Sequence, residues 1–283
     1  KALAPQPLDG DVVPDDPGSD RRDALATWLT APENPYFTRA IVNRVWKNFM
    51  GRGLVEPVDD LRLTNPASNE ALMDALCLDL QEQNFDLKGL MRSILSSAAY
   101  QRTSMAADAA APDRINYAQY IPRRLKAEVL LDTYSQVTDV PTEFPGYPAG
   151  YRALQLRDSL VASYFLDAFG RPERRQTCAC ERTEDASIAQ TLHLANGETL
   201  NKKLRDDTSI LAAYEKESVD DGAAVNDIFW RAFGRAPSET EQGECLAMLA
   251  DATKGEAKPE ARRLTLEDMM WALLTSKEFL FNH

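Results

Sequence analysis

The sequence predicts an all-α, multi-helix globular fold with little or no sheet. Three observations predict it. Apolar residues recur at helical spacing in one segment after another. Many of those segments open on Asp, Asn or Ser, the residues that cap helix N-termini, and the clearest of them stops at Gly51 and Gly53. No segment sustains the period-two alternation of a half-buried strand. The 283 residues, 44% hydrophobic and 27% charged, have ordinary globular composition and suffice for one large or two medium domains.

Residues 1–19 hold several Pro and Asp without periodicity and read as an extended arm or the end of a linker. Asp20 is placed to cap RRDALATWL. Asn34 caps the next helix, with Pro35 in the first turn, where a missing N–H matters least. Phe37, Ile41, Val45 and Phe49 make its inner stripe, widened by Val42 and Trp46, and Arg39, Asn43 and Lys47 make its polar face. Gly51 and Gly53 stop it. After a loop over 51–67, Ser68 is a cap for the helix carrying Leu72, Leu76 and Leu80. Asp86 caps another with Leu87, Leu90, Met91, Ile94, Leu95 and Ala98 inward, and Pro122 opens one with Leu125, Val129, Leu130 and Tyr134.

These segments form an N-terminal helical half, 20–138. Pro141, Pro145, Gly146, Pro148 and Gly150 mark 139–157 as a Pro/Gly-rich connection. The C-terminal half, 158–283, reads as helices near 158–169, 187–196, 198–216, 219–233, 238–252 and 262–281. Ser238 and Glu241 have the spacing of a capping box. The stretch 264–280 is apolar nearly all round, which predicts a central buried helix and two halves packed into one unit.

A net charge of -12 disfavours binding to nucleic acid or an anionic membrane surface, because both need a basic face. No apolar run reaches the roughly 18 residues of a membrane span. The chain begins at Lys1 and reads as a piece of a longer polypeptide. Its cysteines, Cys77, Cys178, Cys180 and Cys245, are too few for a disulfide scaffold. Cys77 and Cys245 fall in apolar helical patterns and read as buried small hydrophobes.

The loop over 169–187 is the densest in chemistry. Cys178 and Cys180, with His193 on the following helix, offer three soft ligands to a metal ion, or a strained and easily reduced disulfide; the alternative is one buried and one exposed thiol with His193 packed on an apolar face. Arg171, Arg174, Arg175 and Arg182 are suited to bidentate binding of a sulfate, phosphate or carboxylate, for instance on an anionic glycan. Internal pairing with Glu173, Glu181, Glu184 and Asp185 is the competing use of the same charges. A second group, Arg39, Asn43, Arg44 and Trp46 with Asp59 and Asp60, predicts helix-to-loop ion pairs, Arg44 to Asp60 or Arg39 to Asp59. The sequence contains no Gly-rich phosphate loop, G-x-S-x-G elbow, H-E-x-x-H or C-x-x-C-H, so this segment does not itself attach c-type haem covalently.

The blocks NPYFTRAIVNRVW, GRGLVEPVDDLRL, SILSSAAYQRTS, FGRPERRQTCACER and WALLTSKEFLFNH occur in that order. Together they resemble the C-terminal domain of unknown function 1553 found in planctomycete-type surface proteins, many of which carry a cytochrome c domain. The resemblance implies an extracytoplasmic location, periplasm or cell surface. It also implies a longer parent chain whose other domains, a cytochrome c domain among them, are the natural partners. It assigns no catalytic residue, so enzymatic activity stays open. The reading is a binding or scaffolding module. The alternative is a domain of a cytochrome-linked redox enzyme acting on extracellular carbohydrate, with a metal or redox site at Cys178, Cys180 and His193.

Overall fold

A computed structural model describes residues 4–8, 10–13, 18, 20–105, 115–173, 175, 187–254 and 260–282. The fold is all-α, and the chain divides into two compact units, Lys1–Pro122 and Arg123–Asn282.

The first unit contains α1 (Arg21–Thr30), α2 (Phe37–Met50), α3 (Glu70–Glu82) and α4 (Leu87–Leu95). Asp20 caps α1 through the Arg22 N–H, and Asp86 caps α4 through the Lys88 N–H. Asn34 works from just ahead of α2: its side-chain oxygen accepts from the N–H groups of Tyr36 and Phe37. Gly51, at φ 81°, ends α2 in the left-handed region. α3 is capped by Asn69, not by the expected Ser68; the Ser68 N–H instead donates to Leu54 O and fixes the preceding loop. Val42, Trp46 and Met50 of α2 meet Met73 and Leu80 of α3, and Leu90 and Ile94 of α4, in one core. Tyr117 closes it edge-on to Trp46, with ring centroids 5.2 Å apart.

The second unit contains β1 (Arg123–Arg124), α5 (Ala127–Thr138), a 3-10 turn (Ala153–Gln155), α6 (Tyr164–Ala168), α7 (Ile188–Asn196) and α8 (Glu198–Arg205). It continues with α9 (Ile210–Lys216), α10 (Asp221–Phe233), α11 (Glu239–Ala252), α12 (Ala261–Leu274), α13 (Lys277–Leu280) and β2 (Phe281–Asn282). Leu130, Leu131, Tyr134 and Val137 of α5 share its core with Leu266, Met270 and Leu274 of α12. Tyr134 stacks on Phe279 at 5.5 Å and donates to Leu274 O.

Several elements differ from the sequence expectations. Pro122 leads into a short strand, not a helix: β1 pairs antiparallel with β2, Arg123 opposite Asn282 and Arg124 opposite Phe281. The helix expected over 198–216 breaks at Asp206, whose carboxylate holds the Thr208 N–H and hydroxyl, and Ser209 caps α9. The helix expected over 262–281 breaks at Thr275, where Ser276 caps α13. α12 buries one face only: Leu264 is 54% exposed, while Leu266 and Met270 are fully enclosed. The 139–157 segment lies within the second unit and not at its edge. The Asp132 carboxylate accepts from Ala153 N–H at 2.6 Å and Leu154 N–H at 3.1 Å, and Phe144, Ala153 and Leu156 enter the core. α5 also belongs to this unit, so the division falls at Pro122 and not after 138.

Candidate functional site

Of the residues singled out in the sequence, Cys178, Cys180, Arg174 and Arg182 lie outside the described residues. Glu181, Glu184 and Asp185 lie outside them too, and the remaining candidates of that loop and the helix after it, Arg171, Arg175 and His193, have structural partners. The Arg171 side chain is 4% exposed; its Nη2 donates to Asp167 Oδ1 at 2.7 Å and Val161 O at 2.8 Å, an i,i+4 pair that closes the end of α6. Arg175 pairs with Glu173 at 2.6 Å on the surface. His193 packs among Tyr164, Phe165 and Phe169, with ring centroids 5.4, 5.4 and 6.0 Å away, and its Nε2 meets Thr199 Oγ1 at 3.0 Å. Burial holds its imidazole below the ordinary histidine range. Among the described residues, no group of three or more His, Cys, Asp or Glu is arranged to hold a metal ion. Burial pushes the Cys77 thiol up to about 11 and raises Cys245 as well, so both resist forming the reactive thiolate.

The helix-to-loop pairs exchange partners. Arg44 binds Asp59 at 2.8 Å, because Asp60 is taken by Arg62 at 2.6 Å. Arg39 binds Glu70 and Asp74 of α3. Trp46 is a core residue.

The His193–Thr199 contact leads to a site that motif reading missed. Gly197 joins α7 to α8 and donates its N–H to His193 O at 2.7 Å; a Cβ at Gly197 would meet that oxygen at 2.2 Å, so only glycine permits so close a junction. α8 leaves this corner with Leu200, Lys203 and Leu204 on its buried face. A recess of about 300 Å³ lies between α8 and the 140–142 segment, and Val140, Thr142, Thr199, Lys202, Lys203 and Asp206 are among its walls. Lys203, only 6% exposed, donates from Nζ to Val140 O at 2.7 Å and Ser135 Oγ at 3.1 Å. Ser135 Oγ in turn lies 3.0 Å from Thr142 Oγ1, so a chain of hydroxyls connects the amine to the recess wall. Lys202, by contrast, points to solvent and pairs with Glu198 at 2.6 Å. Burial lowers the Lys203 amine to about 8, against the weaker opposing pull of Asp206 and Asp132. The signal for this residue was present in the sequence: Leu200, Lys203 and Leu204 have i, i+3, i+4 spacing, which places a charge inside an apolar stripe.

No helix among the described residues is long and apolar enough to cross a membrane. No curated protein sequence and no solved structure matches the chain. One family model does match, over residues 21–249, from the first turn of α1 into α11. On that span, most of both units, the chain belongs to the PSD1 family, described as proteins of unknown function (DUF1553).

Proposed function

We propose that the chain is an extracytoplasmic binding module of a larger surface protein, and that the recess between α8 and 140–142 is its ligand site. The observation that carries this reading is the recess itself: about 300 Å³, walled by threonine hydroxyls and a lysine drawn into the core. That volume stands at the lower end of small-molecule sites, and the wall combines Val140 and Pro141 with several polar side chains that can orient a ligand. Its rim carries Glu198 and Asp206 beside Lys202, a balance that favours a small, uncharged polar ligand over an anion. The resemblance of the ordered sequence blocks to planctomycete-type surface proteins is what supports the location.

A screen of small uncharged polar compounds by heteronuclear NMR tests this. Binding at millimolar concentration should shift resonances of Val140–Thr142 and α8. Lys202→Trp, which covers the recess from its solvent side, should weaken that binding at least about tenfold. Shifts that never fall on these residues, or binding untouched by Lys202→Trp, would exclude the site.

A further inference from the structure

We propose that Lys203 is a covalent anchor in this recess, its amine condensing reversibly with an aldehyde ligand to give an imine. The inference rests on the recess being the ligand site. Three features of the geometry carry it. Lys203 combines near-complete burial with a place in the recess wall. Its two hydrogen-bond acceptors, Val140 O and Ser135 Oγ, are neutral, and among the described residues its remaining N–H has no hydrogen-bond partner. Buried ammonium groups are ordinarily matched by a carboxylate in contact. An amine held only by neutral oxygens is instead biased toward the uncharged, nucleophilic form. The charged groups that surround it do not reverse this bias. Asp206, just past the end of α8, and Asp132 on α5 act at longer range, and Arg263 of α12 donates to the carbonyls of Leu204 and Asp206 at that helix end.

The chemistry balances without a co-reactant. The Nζ lone pair adds to the carbonyl carbon, and the carbonyl oxygen takes up a proton to give a carbinolamine. Loss of that oxygen as water, with the last amine proton, leaves the C=N bond. The Ser135 hydroxyl, which accepts from Nζ, and the Thr142 hydroxyl bonded to it provide a path for those protons to the recess. An aldehyde suits the site because it is uncharged, and Thr199 stands on the same wall to receive a polar substituent.

The test is made on the wild-type chain with propionaldehyde as the probe and cyanoborohydride as the trapping hydride donor, read by peptide mass spectrometry from pH 6 to 9. Lys203 should be N-propylated at least about tenfold faster than Lys202 at pH 7. An amine near 8 has roughly 300 times the neutral fraction of an ordinary lysine there, partly offset by its lower basicity. Its rate should rise through pH 8 and then level. Lys202→Trp should slow Lys203 labelling about tenfold by covering the recess. Labelling of Lys203 no faster than Lys202 overturns the imine while leaving non-covalent binding, scored by the NMR screen, to stand or fall separately. Rapid labelling that Lys202→Trp leaves unchanged overturns the recess as the route and the proposal with it.

Discussion

His193 presents its ring to Tyr164, Phe165 and Phe169 and its Nε2 to the Thr199 hydroxyl. The imidazole is thereby kept neutral, its folded-state pKa lowered by burial. The sign of the pH effect follows. The unfolded chain takes up a proton near the ordinary histidine value of about 6.5, the folded chain only at lower pH, so acid favours unfolding from pH 6.5 down through the folded value. His193→Phe, which keeps the aromatic packing, should flatten that part of the stability-versus-pH curve in urea titrations. An NMR midpoint for His193 at or above 6.5 would contradict the assignment. The sequence offered His193 either as a metal or redox ligand or as a side chain packed on an apolar helix face. Whether a histidine binds metal or fills an apolar corner depends on which side chains surround it, and three aromatics from α6 and its end do so here.

At the scale of an element, α2 shows how far helical spacing reaches. The helix, the position of Asn34 and the stop at Gly51 were legible from local pattern, but the stripe was set one residue off: Phe37, Ile41, Val45 and Phe49 are only half-buried, and Val42, Trp46 and Met50 make the enclosed line. Asn43 was assigned to the solvent face by the same pattern, yet it is completely buried. Its amide donates to Val55 O at 2.9 Å and Val58 O at 2.8 Å, and its oxygen accepts from the Val55 N–H at 3.0 Å. The loop after α2 folds back over the helix and needs a residue that can satisfy both donors and acceptors of its backbone. Asn43→Leu leaves those groups buried and unmet. It should destabilise the first unit by about 2–4 kcal/mol in denaturant melts; a loss under about 0.5 kcal/mol would mean that the loop rearranges to find other partners. α8 repeats the lesson with Lys203, and α5 with Asp132, whose carboxylate organises the 3-10 turn. In each case the polar residue serves backbone that is distant in sequence; spacing marks Lys203 as lying in an apolar stripe, but helical periodicity names none of the distant partners.

On the scale of the whole molecule, each unit has its own core, one centred on α2 and the other on α5 and α12. Separate cores predict separate cooperative transitions. In calorimetry, Asn43→Leu should lower one transition and Met270→Ala, by about 2–4 kcal/mol, the other. One shared transition lowered by both variants would show that the two unfold as a single unit. The all-α class, the positions of most helices, their caps at Asp20, Asp86 and Ser238, and the family membership were determined by the sequence alone. These depend on neighbours within a few turns of chain. The division at Pro122, the breaks at Asp206 and Thr275, the β1–β2 pair joining the two ends of the second unit, and the burial of Asn43 and Lys203 were decided by tertiary structure. Each of the buried polar residues is stabilised by groups that only folding brings within hydrogen-bond distance. Helical spacing can say which face of a helix turns inward, but not what waits there to meet it.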